Sequence, residues 1–195
     1  MPKVVDHQQR QAELAEAAFY TVAKLGFAGT TMRSLAHIAG CSTGALVHYY
    51  KNKEDILEAA LNFAHQRTTV RMRHLIDNNS DNLLFLICQE ALPTRKPQKE
   101  EWKVWTEFWG YALNNSKLKR TNKQRYQHWL GGLRKVFEIS MNKGEVAASI
   151  DCEAEAAALA ALIDGIGMQA TLDPQRLTLQ NQLAIIQHHL DGLRP

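Results

Sequence analysis

Apolar residues recur with the period of an α-helix along almost the whole chain. In the first such segment, Leu14, Ala18, Phe19, Val22 and Leu25 follow one another at spacings that place them on one face of a helix. No stretch of useful length shows the two-residue alternation that is typical of a half-buried strand. The pattern therefore predicts an all-α protein.

Helix-capping and helix-ending residues divide this pattern into about nine helices. Gly26 is suited to end the first helix, and Thr31 and Ser42 are suited to cap the second and the third. Asp173 followed by Pro174 indicates the start of the last helix, because proline is favoured at the first helical position. The predicted helices span residues 6–25, 32–39, 43–50, 53–76, 83–92, 100–114, 119–141, 152–171 and 174–190.

Composition excludes several classes of protein. Of the 195 residues, 45% are hydrophobic and 22% are charged, which is ordinary for a folded globular chain and unlike a disordered one. The longest apolar run, residues 156–163, is far shorter than the roughly 18 residues of a membrane span. The N-terminal residues lack the apolar core of a secretory signal, so we expect a cytoplasmic protein without a membrane segment. Three widely separated cysteines fit reduced thiols better than a disulfide framework.

Charge is distributed unevenly along the chain. Residues 1–53 hold six lysines and arginines against three acidic residues, whereas the remaining residues carry 17 of each sign. The net charge of +3 therefore comes from the N-terminal part. A modest excess of cations is expected of a segment that faces phosphate groups.

The segment 32–50 has the features of a helix-turn-helix motif, because two short predicted helices are joined there by residues 40–42. Helices that cross at a steep angle need a small residue at the crossing and a turn residue that tolerates a positive φ. Ala36 and Gly40 meet these two requirements. The motif predicts that the second short helix is held out from the rest of the chain.

A helix-turn-helix segment leaves one face of its second helix free. We expect Leu35, Ala39 and Leu46 to fill the wedge between the two helices. A short helix with small or polar residues on its outward face fits the major groove of DNA. From the residues alone, the alternative is a helical corner with only a structural role. The residues predicted on the outward face are Thr43, Gly44, Ala45, Val47 and His48.

Residues 30–54 read TTMRSLAHIAGCSTGALVHYYKNKE, and this segment strongly resembles the N-terminal domain of the TetR family of one-component repressors. Val47 departs from the family pattern, in which many members carry a tyrosine. The residues that match the pattern are Gly26, Thr31, Leu35, Ala36, Gly40, Ser42, Gly44, Leu46, Tyr49, Tyr50 and Lys53.

The resemblance implies that this segment binds double-stranded DNA, with a DNA-binding domain over residues 1–52 and a ligand-sensing and dimerisation domain over residues 53–195. An arginine suits bidentate contact with guanine, whereas phosphate contacts fix register rather than sequence. The residues implied to approach base edges are Arg33, Thr43, Gly44 and His48. The residues implied to hold phosphates are Thr31, Ser42, Tyr49 and Lys53.

The resemblance also implies a homodimer that forms through the last two helices. The first of them is rich in alanine, whose small side chain lets another helix come close. A two-fold dimer would present two recognition helices about one DNA turn apart, roughly 34–36 Å, and would read a palindromic operator. Ordinary packing within one chain is the alternative. The residues of the last helix expected at the interface are Leu177, Leu183, Ile186 and Leu190.

Three of the four tryptophans, Trp102, Trp105 and Trp109, lie within eight positions. They share one helix face with Phe108 beside it, and an aromatic stripe of this kind usually packs in a core. Aromatic clusters with an acid nearby also suit cationic ligands through cation–π attraction. The cluster therefore leaves two interpretations open, a core stripe and a ligand cavity.

This aromatic stretch and residues 161–168 (ALIDGIGM) resemble the BetI-like subgroup of the same family, whose namesake responds to choline. The resemblance implies a repressor that a small effector releases from DNA, with a quaternary ammonium or another cation as the effector. The residues predicted to bind it are Trp105, Phe108, Trp109, Trp129, Asp164 and Met168.

A helical-bundle enzyme that acts on a small molecule is the alternative function. The sequence contains no His-Glu-x-x-His motif, and the adjacent His188 and His189 point in different directions on a helix. A thiol redox sensor built on Cys88 is a third possibility, but no resolving cysteine lies near it in sequence. Residues 165–167 (GIG) indicate close helix packing rather than a nucleotide loop. We expect no catalytic residue, no metal site and no cofactor.

Overall fold

The computed structural model describes residues 7–78 and 80–195, and these ranges fold into nine α-helices without a strand. The all-α prediction is confirmed. The helices are α1 (His7–Gly29), α2 (Met32–Ile38), α3 (Thr43–Leu46), α4 (Lys53–Asp77), α5 (Leu83–Ala91), α6 (Lys96–Ala112), α7 (Ser116–Asn142), α8 (Cys152–Leu172) and α9 (Leu179–Asp191).

The first helix is interrupted at Gly26, where the sequence predicts its end. Gly26 has φ 67° and ψ 170°, values outside the helical region. Residues 27–29 then form one more helical turn, which leads to Thr31, the capping residue of α2. The predicted first residue of this helix, Asp6, lies outside the described residues.

The start of the last helix differs from the prediction. Asp173 does not cap a helix that begins at Pro174, because its carboxylate accepts the Arg176 N–H at 3.1 Å within a turn. α9 begins five residues later, after Thr178, whose hydroxyl oxygen accepts the Asn181 N–H at 3.3 Å. The Asp-Pro pair marks a turn here, and a threonine provides the cap.

The bounds of α6 and α3 also differ from the prediction. α6 begins at Lys96 rather than at residue 100, because Pro97 fits in a first turn, where backbone N–H groups have no helical partner. α3 ends at Leu46, and residues 47–49 continue as turns. The N–H groups of Tyr49 and Tyr50 both bond to the Leu46 carbonyl at 2.9 Å, which tightens the end of this helix.

The chain divides into two compact units. The first comprises the residues up to Arg67 together with Lys103–Leu118, and the second comprises Thr68–Trp102 and Lys119–Pro195. The first unit thus includes the beginning of α4 and the second part of α6. The predicted division into a DNA-binding domain and a sensing domain between residues 52 and 53 stays a prediction.

The core of the first unit is built from α1 to α4 and the second part of α6. Phe19, Leu35, Leu46, Leu57 and Phe108 belong to one cluster of buried residues, and each is fully buried. Burying a leucine or phenylalanine side chain contributes about 1.5–3 kcal/mol, so the contacts in this cluster are the main stabilising interaction of the unit. The second part of α6 therefore belongs to the same core as the helix-turn-helix segment.

An ion network lies inside the second unit. The Arg71 guanidinium donates hydrogen bonds to both oxygens of Glu101, at 2.9 and 2.7 Å, and its Nε donates to Glu90 at 2.9 Å. Glu101 is only 2% exposed, and a buried charge of this kind is tolerated because it is paired and hydrogen-bonded. The network links α4, α5 and α6 within this unit.

Trp102 packs against the backbone of α8 at Gly167. A Cβ atom built on Gly167 would lie 2.0 Å from the indole ring, so only glycine permits this approach. The Trp102 indole is 5% exposed and donates its N–H to the Ala91 carbonyl at 2.7 Å. The prediction of close helix packing is confirmed at Gly167, and Trp102 is a core residue.

The three cysteines are free thiols, and Cys88 is the most buried of them. Burial raises the pKa of the Cys88 thiol to about 12. Because the thiolate is the reactive form, Cys88 is unreactive at neutral pH, and the redox-sensor interpretation loses its basis. Among the described helices, none is both long and apolar enough to cross a membrane.

Replacing Gly167 by alanine is expected to destabilise the fold by on the order of 1–3 kcal/mol, because the added methyl group must displace the Trp102 ring. Gly132→Ala is the matched control, since a Cβ atom there meets nothing within 4 Å. That substitution should stabilise the helix by about 1 kcal/mol. Urea unfolding measures both changes, and equal midpoints for the two variants would contradict this account of Gly167.

Candidate functional site

The turn between α2 and α3 depends on Gly40. Its φ is +60°, a conformation that costs an L-residue free energy and that glycine adopts freely. After this residue the chain reverses, and the Cys41 N–H returns to the Ala36 carbonyl at 3.0 Å, which satisfies an acceptor at the end of α2. Ala36 is 5% exposed and Gly40 is exposed, as the helix-turn-helix pattern predicts.

Both helices of the motif have side-chain caps. Thr31 and Ser34 form a capping box, in which the Ser34 N–H reaches the Thr31 hydroxyl at 3.0 Å and the Thr31 N–H reaches the Ser34 hydroxyl at 2.8 Å. The Ser42 hydroxyl oxygen accepts the Ala45 N–H at 3.3 Å. Ser42 keeps its O–H as a donor when its oxygen accepts from the backbone, so it can cap α3 and also donate to a phosphate.

The outward face of α3 is open to solvent. Leu35 and Leu46 close the wedge between the two helices at 0% exposure, so the opposite face of α3 carries no core packing. Arg33 is also exposed, and it forms no ion pair within the part of the chain that the structure describes. All five residues predicted on this face are exposed, namely Thr43, Gly44, Ala45, Val47 and His48.

Tyr49 and Lys53, the other two predicted phosphate-binding residues, also have partners within the chain. The Tyr49 ring is half-buried, with its centroid 5.9 Å from that of His7. The Lys53 ammonium donates to the Ala28 carbonyl at 3.0 Å and lies 4.5 Å from the centre of the Phe27 ring. An ammonium has three donors, so this contact leaves Lys53 able to bind a phosphate as well. Sequence reasoning missed the structural role of Lys53.

Three of the predicted effector-binding residues lie on α6 in the first unit. The rings of Trp105 and Trp109 are half-buried, with centroids 6.1 Å apart and planes tilted by 41°. The His65 ring lies edge-on to Trp105, with centroids 6.3 Å apart. Phe108 is fully buried in the core of the unit. Trp105 and Trp109 therefore offer accessible aromatic surface, whereas Phe108 supports them from inside.

The other three predicted residues lie in the second unit, where Asp164 of α8 is the central one. Asp164 is half-buried and hydrogen-bonds with Tyr126 of α7. Burial raises the pKa of the Asp164 carboxyl to about 6, and the hydrogen bond from Tyr126 opposes that shift. Burial and the neighbouring Asp164 charge also raise the pKa of the Tyr126 hydroxyl. No basic side chain among the described residues forms an ion pair with Asp164.

The residues beside this pair extend the same two helix faces. Trp129 follows Tyr126 by three positions on α7, and Met168 follows Asp164 by four positions on α8, spacings that bring side chains together on a helix. Both Trp129 and Met168 are half-buried. Sequence reasoning did not single out Tyr126, because no periodic signal links it to an acid on another helix.

The last two helices expose apolar and small residues. On α9, Ile186 and Leu190 are buried at 0% and 8% exposure, so these two residues proposed for an interface instead pack within their own chain. The exposed apolar residues of α9 are Leu179, Ala184 and Ile185. The exposed small residues of α8 are Ala154, Ala157, Ala158, Ala161 and Gly165.

The described residues contain no group of three or more histidine, cysteine or acidic side chains that could hold a metal ion.

Two family models match the chain. Residues 14–60 match the model described as bacterial regulatory proteins, tetR family. Residues 81–195, more than half of the chain, match the model described as BetI-type transcriptional repressor, C-terminal. The first match contains the whole helix-turn-helix segment, and the second contains Tyr126 and Asp164.

Proteins of similar length are related to this chain along its whole extent. It is 27% identical over 195 residues to the HTH-type transcriptional regulator PksA of Bacillus subtilis, covering 99% of this chain and 94% of PksA. It is 25% identical over 195 residues to the HTH-type transcriptional regulator BetI of Vibrio campbellii, covering 98% and 95% of the two chains.

A solved structure shares the fold. The structure of a transcriptional regulator from Saccharomonospora viridis in complex with choline matches with a TM-score of 0.83 at 22% identity. The match covers 94% of this chain and 96% of that one.

Proposed function

Because the chain belongs to the TetR family of bacterial transcriptional regulators and carries a BetI-type C-terminal domain, we propose that it is a homodimeric repressor of the cytoplasm. It binds a palindromic operator, and a small cationic effector releases it. The family assignment makes it a transcriptional regulator rather than an enzyme. The observation that carries the proposal is the solvent-exposed outer face of α3, held out by the buried Leu35 and Leu46.

Operator binding divides into contacts that read sequence and contacts that fix register. Arg33 is exposed and its five N–H donors suit the O6 and N7 atoms of guanine, while Thr43, Gly44 and His48 allow close approach to neighbouring base edges. The hydroxyls of Thr31, Ser42 and Tyr49 and the Lys53 ammonium bind phosphates. These contacts carry no sequence information and orient α3 in the major groove.

The dimer forms through α8 and α9. The exposed side chains of α8 at residues 154–165 are small, which lets the backbone of a second helix come close. Leu179 and Ile185 of α9 are 49% and 38% exposed, and burial against a second copy would remove this apolar surface from water. An isologous contact of this kind relates the two α3 helices by a two-fold axis, as a palindrome requires.

The effector is a small cation of the quaternary ammonium class. Asp164 supports this assignment, because a half-buried carboxylate that has a tyrosine partner and no cationic partner is destabilised by desolvation. A bound cation would supply the missing charge. Aromatic surface that is partly open to solvent at Trp105 and Trp109, and is predicted for Trp129, favours the same class of ligand. Phe108 belongs with the proposed aromatic residues of the first unit, and Met168 belongs with Asp164 in the second unit. Choline, which is bound in the structure of the relative from Saccharomonospora viridis, is the probe for this class of ligand.

Release follows from a difference in affinity. The effector binds more tightly to a conformation in which the two heads are spaced or tilted wrongly for the operator. Coupling of this kind is typically about 1–3 kcal/mol, or roughly 5- to 150-fold in operator affinity.

Arg33→Ala is expected to weaken binding to a DNA fragment from upstream of the protein's own gene by about 10- to 100-fold, the loss expected for one bidentate base contact. Arg134→Ala is the control, because Arg134 pairs with Glu138 on the exposed face of α7. Electrophoretic mobility shifts measure both variants. An Arg33→Ala variant as tight as wild type would remove Arg33 from the interface, and a wild type that binds no such DNA would contradict the repressor function.

Choline affinity is expected to rise about tenfold between pH 5 and pH 7 and to level off above, because the Asp164 carboxyl, with a pKa of about 6, must be ionised to attract the cation. Choline itself does not titrate in this range. Asp164→Asn should bind choline at least tenfold more weakly at pH 7 and lose the pH dependence, whereas Glu153→Gln, which removes an exposed charge from α8, should change neither. Isothermal titration calorimetry measures the choline affinity of the wild type and both variants. Equal affinities for all three proteins would contradict the cation site.

Ile185→Arg and Ala161→Arg are each expected to convert the protein to a monomer of 22.0 kDa, because either guanidinium would be buried in the interface. The wild type and Gln127→Arg, an exposed position on α7, should sediment at twice that mass. Sedimentation equilibrium distinguishes the two masses. A monomeric wild type, or dimeric α8 and α9 variants, would show that the interface lies elsewhere or does not form.

A further inference from the structure

Glu107 of α6 is bonded to the backbone that leads into the DNA-binding segment. Its carboxylate accepts the Phe27 N–H at 2.9 Å. A Cβ atom built on Gly26 would lie 3.0 Å from the second oxygen of the same carboxylate. Glu107 therefore occupies the site where α1 is interrupted, and it satisfies an N–H group that the break in the helix leaves without a helical partner.

The residues 26–30, here called the entry turn, are held by further contacts from α6 and α4. The ring of Tyr111, one turn after Glu107, lies edge-on to the Phe27 ring with centroids 4.0 Å apart. Lys53 covers the same ring at 4.5 Å and donates to the Ala28 carbonyl at 3.0 Å. The Thr30 hydroxyl closes the turn by donating to the Gly26 carbonyl at 2.7 Å.

The entry turn fixes where the helix-turn-helix begins. Thr30 is fully buried, and the next residue, Thr31, is the cap of α2. A displacement of the entry turn therefore displaces the start of α2 and, through the buried contact of Leu35 and Leu46, the recognition helix α3. Glu107 is the ionised acceptor among these contacts, and hydrogen bonds to charged groups are roughly twice as strong as those between neutral groups.

The geometry of α6 places Glu107 opposite the two tryptophans. At about 100° per residue, Trp105 and Trp109 lie within roughly 40° of each other around the helix, and Glu107 lies roughly 200° from Trp105. One face of α6 thus carries the aromatic surface proposed for the effector, and the opposite face bonds to the entry turn. A rigid helix with these two faces transfers any rotation or shift from one to the other.

We propose that Glu107 is the positioning residue that couples effector binding at α6 to the orientation of the DNA-binding segment. This inference rests on the proposed function, because it takes Trp105 and Trp109 to contact the effector. In the effector-free protein the carboxylate holds the entry turn in the position that fits the operator. When α6 moves, the Glu107 bond to Phe27 lengthens or breaks and the entry turn leaves that position.

A residue with a merely structural role would change stability and leave coupling intact, so the test measures coupling. The readout is the ratio of operator affinities without and with saturating choline, in wild type, Glu107→Ala, Glu107→Gln and the control Lys103→Ala. Lys103 is exposed on the same helix. Glutamine keeps a carbonyl oxygen as an acceptor, so it should restore much of what alanine loses. Hydrogen exchange at the Phe27 amide reports the bond itself.

We expect the affinity ratio to fall to within about twofold of one in Glu107→Ala and to stay near the wild-type value in Lys103→Ala, with Glu107→Gln between them. In the absence of DNA, choline affinity should be equal in wild type and Lys103→Ala and should not fall in Glu107→Ala, because the effector no longer has to break the bond to Phe27. The Phe27 amide should exchange at least tenfold faster in Glu107→Ala.

A Glu107→Ala variant with weaker operator binding but an unchanged affinity ratio would overturn the coupling role and leave the proposed function standing. A wild type whose operator affinity does not respond to choline, although choline binds, would overturn this inference together with the proposed effector class. If Glu107→Ala does not fold, Glu107→Gln provides the test by itself. A Glu107→Gln variant with an unchanged affinity ratio, although its Phe27 amide exchanges faster than in wild type, would contradict the proposal.

Discussion

The buried packing of Leu35 of α2 and Leu46 of α3 is the interaction on which the rest of the structure depends. Leu35 and Leu46 are both fully buried, and the positive φ of Gly40 permits the turn that joins the two helices. Because Leu46 is the buried residue of the short α3, the other face of this helix does not contribute to the core and remains in solvent. The first unit extends this arrangement, since the same core includes Phe108 of α6. The helix-turn-helix segment and the second part of α6 thus share one set of buried contacts.

Two acidic side chains, Glu101, which is buried, and Asp164, which is half-buried, have very different surroundings in this protein. Glu101 is almost fully buried, yet the bidentate bond from Arg71 compensates for its lost hydration. Among the described residues, Asp164 has only the Tyr126 hydroxyl as a hydrogen-bond partner. Its pKa is raised because this bond does not compensate for the lost hydration of the carboxylate. Selection for stability alone would favour either a cationic partner for this carboxylate or an uncharged side chain in its place. The first site is therefore explained by packing within the second unit, whereas the second has no such explanation and is the site at which we propose that a cationic ligand binds.

Local signals in the sequence predicted much of the fold and the exposed half of the site. Periodicity identified the helices, and the small Ala36 with the turn residue Gly40 identified the motif, because both requirements arise within ten residues. The Asp173-Pro174 signal failed because a competing cap at Thr178 lies close behind it. Contacts between distant segments left no such signal. The bonds from Glu107 to Phe27, from Lys53 to Ala28 and from Tyr126 to Asp164 each join residues more than twenty positions apart, so only the fold reveals them.

Hydroxyl-radical footprinting on the DNA upstream of the protein's own gene tests the central claim most directly. A symmetric pair of α3 helices in successive major grooves predicts two protected patches on one face of the duplex, related by a two-fold axis and centred about 34–36 Å apart. Both patches should disappear together when choline is added. A single patch, protection without symmetry, or two patches that persist at saturating choline would contradict the account of a cation-released dimeric repressor.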